Sequence, residues 1–234
     1  MKRDKEIIGL YIICCFFQVV YFKYVVGSAR PFVYIEGVYL QESNVLPYLE
    51  ICVLCLPIIM LVLLFSDSYS FYMENYGRLL LVRNCNLTKC IFNICRHLAM
   101  KLFIMVGIQL IINVLFNLSY FINNIATILK GEIAYYLILL FTAILEFCIC
   151  SWVKENLVQI FLYVYVFSSC VVCYYLKSKV VQILFMPGKI LELKKFFETE
   201  KWISYLLNEI TIPMLSMIIL FLITVMHCKR KDIF

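Results

Sequence analysis

Lys23, Glu50 and Glu146 each interrupt a run of residues that is otherwise apolar. A charge inside hydrocarbon is costly, so such residues face a partner, water or an interface, and they mark ion paths, proton relays or fixed polar contacts. Lys23 and Glu50 sit near the ends of their runs, and the lysine stem is long enough to carry its ammonium to the headgroups. Glu146 lies about one turn inside the end of its run, which makes it the candidate intramembrane polar site. Cysteine offers a second chemistry. Cys95 and His97 lie two residues apart at the mouth of an apolar run, and a cysteine peptidase needs such a nucleophile and base within hydrogen-bond reach. Side chains two apart on a helix point to different faces, which counts against the pair.

The remaining thiols suggest packing. Most of the 12 cysteines fall inside apolar runs, among them Cys14, Cys15, Cys52, Cys55, Cys148, Cys150, Cys170 and Cys173. Cys52/Cys55 and Cys170/Cys173 have CxxC spacing but no histidine nearby in sequence, unlike a zinc site. Cysteine buries as a small hydrophobe, so these read as reduced, structural thiols. A phosphate-cradling loop needs GxxxxGK[ST]; "MPGKI" at Met186–Ile190 has the GK but neither the first glycine nor the hydroxyl residue. HExxH and GxSxG are absent too. No catalytic residue, metal site or cofactor site is assigned to this chain.

The elements that must position these residues are membrane spans. The chain is 64% hydrophobic and 15% charged over 234 residues, too little polar surface to coat a soluble domain. Six apolar segments are expected as helical spans of one domain over residues 1–234: about 7–26, 48–65 (with Pro57 inside), 98–118, 133–150, 157–176 and 210–228. The first exceeds the usual apolar core of a cleaved leader, about 7–15 residues, and is read as a span. With both termini in the cytoplasm, Lys2, Arg3, Lys5, Arg78, Arg83, Lys89, Arg96, Lys101, Lys154, Lys229, Arg230 and Lys231 fall inside, while the two shorter outer loops hold only Arg30 and Lys130. That distribution follows the positive-inside rule. The net charge of +6 is thus a matter of orientation, with no nucleic-acid partner implied.

Lys177–Glu209, on the outer side, is the exception, with six basic and four acidic residues. Within it Ile190, Leu191, Leu193 and Phe197, then Trp202, Ile203, Leu206 and Leu207, alternate with lysines and glutamates. The pattern predicts an amphipathic helix or broken helical pair before the last span, apolar face towards lipid or protein.

On the cytoplasmic side, "GRLLLVRNCNLTKCIFNICR" (Gly77–Arg96) carries four basic residues threaded with leucines and no acid. A basic inner loop would explain the charge but not the leucines or the break at Asn86–Thr88. A short helix lying across the membrane face explains both, with Asn86 and Thr88 as caps for the next span. Here the chain resembles the permease subunits of type-2 ABC transporters. Their first cytoplasmic loop reads as an acidic residue, Gly-Thr, a leucine-rich turn, Pro-x-Ser-Arg and a later lysine. Counting from Gly77, Leu80, Leu81 and Val82 match the turn, Thr88 the serine, Lys89 the arginine and Arg96 the lysine. Arg78 replaces the threonine, Asn86 the proline, and the acid Glu74 is displaced by about a residue.

The resemblance implies an all-α, six-span permease in the plasma membrane of a bacterium, paired with a second permease as homo- or heterodimer. It also implies two separate ATPase subunits that carry the ATP and magnesium. The chain itself would not be an enzyme. Glu74, Tyr76, Gly77, Arg78, Leu80, Leu81, Arg83, Thr88 and Lys89 would form the coupling helix gripped by the ATPase. The aromatic-, cysteine- and isoleucine-rich make-up looks most like permeases of bacteriocin or lantibiotic self-protection, which implies export or extraction of a peptide or amphiphile. Two other readings stay open: a stand-alone membrane immunity or scaffold protein, and a membrane cysteine peptidase using Cys95.

Overall fold

Long apolar runs leave backbone amides no water to bond, so helix is the form that satisfies them within one segment. The computed structural model describes residues 2–27, 31–37, 48–71, 87–153, 155–176, 184–193 and 211–231, and among these every element is helical. Helix α1 (Lys2–Val20) continues into a π turn (Tyr21–Val25), and a four-residue helix α2 (Val33–Glu36) follows. Then come α3 (Tyr48–Phe71), α4 (Leu87–Phe116), a short α5 (Leu118–Asn123) and α6 (Ile125–Cys150). The chain finishes with α7 (Glu155–Tyr175), a 3-10 helix (Met186–Glu192) and α8 (Thr211–Lys231).

Five of these helices are long and apolar enough to cross a membrane: Lys5–Val25, Tyr48–Ser66, Ile91–Phe116, Ile125–Cys150 and Asn156–Cys173. They correspond to the first five expected spans. The expected sixth is α8, whose apolar stretch, Pro213–Met226, is shorter than a full crossing. The fourth span begins at Ile125 rather than 133. What looked like an outer loop is almost wholly helical, because α5 bridges α4 and α6 through single breaks at Asn117 (φ −139°, ψ 44°) and Asn124 (φ −124°, ψ 23°). Asparagine suits these breaks, since its side chain competes with the helix for nearby carbonyls. Helix α4 has 30 residues, about 45 Å of rise against about 30 Å of hydrocarbon, so it reaches beyond the bilayer.

Helices α3 and α6 form the centre. Helix α3 packs on α1, α4, α6 and α7, while α6 touches α2, α3, α4, α5, α7, α8 and the 3-10 helix. Ile51, Leu54, Ile58, Leu61, Ala134, Tyr135 and Ile138 are sealed in this core. Outward faces of α1, α4, α7 and α8 leave Ile13, Phe103, Ile160 and Ile219 exposed, as lipid-facing helices do.

Two connections do not stay at the surface. Residues 31–37 fold inward, burying Phe32, Val33, Tyr34 and Ile35. Gly37 ends α2 with φ 75°, and a Cβ there would overlap the Leu191 carbonyl. The second connection follows α7, which ends at Tyr175. By Leu184 it is level with Tyr165, whose hydroxyl donates to the Leu184 carbonyl (2.7 Å), about 15 Å down the helix. Met186, Ile190, Leu191 and Leu193 are buried between α7, α6 and α2. The first part of the expected outer amphipathic segment is therefore embedded in protein; Phe197, Trp202, Ile203, Leu206 and Leu207 lie outside the described residues. The Gly-Lys of "MPGKI" belongs to this buried 3-10 helix, with Lys189 at 3% exposure.

Gly188 makes the embedding possible, because a Cβ there would overlap the Ser169 carbonyl and Cys173 on α7. Gly107, within α4, has nothing near its Cβ position. Overpacking costs about 1–3 kcal/mol, so Gly188→Ala is expected to lower stability in detergent unfolding while Gly107→Ala leaves it unchanged or raised. Equal responses would contradict the close contact with α7.

Candidate functional site

Gln109 of α4 is fully buried, and its amide is the junction of a polar seam. Its Oε1 accepts from Tyr11 of α1 (3.1 Å) and from Tyr135 of α6 (3.3 Å). Its Nε2 donates to Gln18 Oε1 (3.0 Å), and Gln18 Nε2 donates onward to the Leu54 carbonyl of α3 (3.4 Å). Tyr11 also donates to the Met105 carbonyl (3.2 Å). Four helices are thus tied through two linked amides. Sequence places the partners: Tyr11 and Gln18 are seven apart, two turns along one helical face. A ladder runs from the seam towards the break in α4. Asn113 Nδ2 donates to the Gln109 carbonyl (2.9 Å), and Asn117 Nδ2 to the Asn113 carbonyl (3.3 Å).

Helix α2 sits beside the seam and is latched by two carboxylates. Tyr34 donates to Glu132 Oε1 on α6 (3.3 Å), and its ring meets Tyr135 edge-on with centroids 5.1 Å apart. Glu132 Oε2 is buried and has no hydrogen-bond partner among the described residues. Glu36 accepts from the Tyr120 hydroxyl of α5 and from its own turn's Phe32 N–H (3.3 Å). Phe32 in turn packs on Tyr120 and Phe121. Burial first, and the neighbouring Glu132 charge second, push the Tyr34 phenol well above its usual range, so it remains a donor.

The sequence-derived candidates are scattered by comparison. Glu146 is buried at 1% exposure on α6, one turn beyond Thr142, whose hydroxyl bonds back to the Leu139 carbonyl (2.8 Å). Glu50 is half-buried in the first turn of α3, where the helix dipole favours an acid. Lys23 does not snorkel freely: its Nζ donates to the Phe116 carbonyl (2.6 Å) and so caps the end of α4. Cys95 is half-buried whereas His97 is exposed, so the two share neither depth nor face.

The coupling candidates Glu74, Tyr76, Gly77, Arg78, Leu80, Leu81 and Arg83 lie outside the described residues, as does Asn86. Thr88 and Lys89 fall in the first turn of α4, and Lys89 and Arg96 are exposed.

The seam residues escaped the sequence reading. Gln18 and Gln109 were isolated amides in apolar runs, and that isolation was the signal. Glu132 was hidden because the fourth span was started one residue after it.

Fold and site together define a multi-pass helical membrane protein with a polar seam buried inside its bundle. The chain belongs to the family described as protein of unknown function (DUF2705), which matches residues 11–234. No curated protein and no solved structure matches it.

Gln109→Leu strands the Gln18 amide and the Tyr135 hydroxyl together, and each buried orphan costs about 1–3 kcal/mol. Tyr34→Phe strands one group, the buried Glu132 carboxyl, against the two stranded by Gln109→Leu. Reversible unfolding in mixed micelles is expected to rank Gln109→Leu well below Tyr34→Phe; the reverse order would mean that the seam does not hold the helices.

Proposed function

We propose that this chain is the permease subunit of an ABC transporter in a bacterial plasma membrane, with both termini cytoplasmic. In this reading it works as a pair with itself or a sister permease. Separate ATPase subunits supply the ATP chemistry, and the cargo is a peptide or amphiphile, as in bacteriocin self-protection. The observation that carries the reading is the leucine-rich basic stretch Tyr76–Arg83, with Thr88 and Lys89 behind it, set between α3 and α4. Such a stretch meets the needs of a docking helix. Leu80, Leu81 and Tyr76 offer apolar anchor area, while Arg78 and Arg83 steer and orient an acidic groove.

The placement supports the reading mechanically. Helix α3 leads into the stretch and α4 leads out, and both belong to the core. A push on the connection would move two packed helices rather than a loose loop. The polar seam would then pass displacement of α3 and α4 to α1 and α6, since the Gln109 amide joins α4 to α1 and α6 and Gln18 extends the link to α3.

Arg83→Glu and Leu80→Asp are expected to abolish co-purification of an ATPase while leaving the chain membrane-inserted and folded by its unfolding midpoint. The measurement is pull-down from solubilised membranes followed by mass spectrometry of the intact complex. Normal recovery of an ATPase with both variants would refute the coupling role, and a wild-type chain recovered with no ATPase would refute the permease reading.

A further inference from the structure

Helices α3 and α7 each carry two cysteines three residues apart, and the fold brings one of each pair together. Cys55 Sγ and Cys170 Sγ lie 3.9 Å apart, at 2% and 1% exposure, where α3 packs on α7. Their sequence neighbours diverge. Cys52 is exposed on the outer face of α3. Cys173 turns to the 3-10 helix, where its Sγ donates to the Phe185 carbonyl (3.4 Å). Geometry therefore selects one pairing out of the four that two CxxC repeats allow across the interface.

Both backbones are also fixed at this level. Gln18 bonds the carbonyl of Leu54, the residue before Cys55. Gly188 is packed against the carbonyl of Ser169, the residue before Cys170. The thiols are held face to face rather than sampling many distances.

We propose that Cys55 and Cys170 are a redox-sensitive pair that closes to a disulfide and staples α3 to α7. The sulphurs must approach from 3.9 Å to about 2.05 Å, a closure on the scale of side-chain rotation and small helix adjustment. Each thiol gives up one proton and one electron as the S–S bond forms. A two-electron acceptor of the quinone or azodicarboxamide class takes both hydrogens and becomes the quinol or hydrazine. Burial within the bundle restricts the reaction to small uncharged acceptors able to enter it, so charged glutathione disulfide is excluded. The staple would hold α3 against the helix that carries the embedded 3-10 segment. This inference rests on the thiol geometry and not on the transport reading.

The test uses the full chain in native membranes, treated with the permeant azodicarboxamide diamide. Free thiols are then alkylated after denaturation, and digests are compared by mass spectrometry with and without reduction. The expected result is a joined Cys55–Cys170 peptide, with both residues escaping alkylation together and returning together on reduction. Cys55→Ser is expected to restore full alkylation of Cys170. Full alkylation of both residues in oxidised wild type, or Cys170 joined instead to Cys52 or Cys173, would overturn the proposal. The wild-type readout stands whether or not the variant folds.

Discussion

A side-chain amide placed in the middle of a helix bundle has to find its partners within the protein, because the surrounding lipid offers none. Gln109 meets that demand by accepting from two tyrosines and donating to a second glutamine. Each of those partners is subject to the same demand, so the requirement spreads. Gln18 settles on a backbone carbonyl of α3, and Tyr11 finds a second acceptor on α4. The order of α1, α3, α4 and α6 around this point follows from satisfying one amide. Apolar packing would tolerate many rotations of these helices, since lipid tails compete with leucine on equal terms. Directional bonds tolerate few.

The same requirement explains the two embedded connections. Irregular backbone at membrane depth is tolerated only where protein covers it. Residues 31–37 and 184–193 satisfy this by packing on each other and on α6, with Gly37 lying against Leu191. Their charged residues are accommodated in different ways. Glu36 takes a tyrosine hydroxyl and a backbone N–H, while Lys189 is buried with the rest of its helix. Neither connection would stay in place alone, because α2 is too short to bury its own polar ends. The pair is a single structural unit whose two halves are some 150 residues apart in sequence.

That distance bears on what the sequence reveals. Helices α3, α7 and α8 start or end within a few residues of their expected limits, because an unbroken apolar run is a local signal. The helical bridge between α4 and α6 is not legible locally. Ser119, Asn123, Lys130 and Glu132 look like loop residues, and only packing on α2 and the core reveals their helical form. Glu146 stood out as a charge within a run, and it is buried. Glu132, with a clearer contact, was assigned to a loop end. The joining of Cys55 to Cys170 and of Tyr11 to Gln109 is a tertiary fact that no local pattern encodes.

The distribution of these bonds differs along the bundle. Helix α2 and the Lys23 cap on α4 lie where α1 and α4 finish and where α3 and α6 begin, and the seam runs from there towards the middle of the bundle. Towards the opposite end Ile91, Ile94 and Leu98 of α4 are buried. Gln159 of α7 adds a bond to Ser66 of α3 there (2.9 Å), and Tyr136 of α6 donates to the Ala99 carbonyl of α4 (3.3 Å). Among the described residues directional bonds therefore occur at both levels, and the seam differs in gathering α1, α3, α4 and α6 around two linked amides.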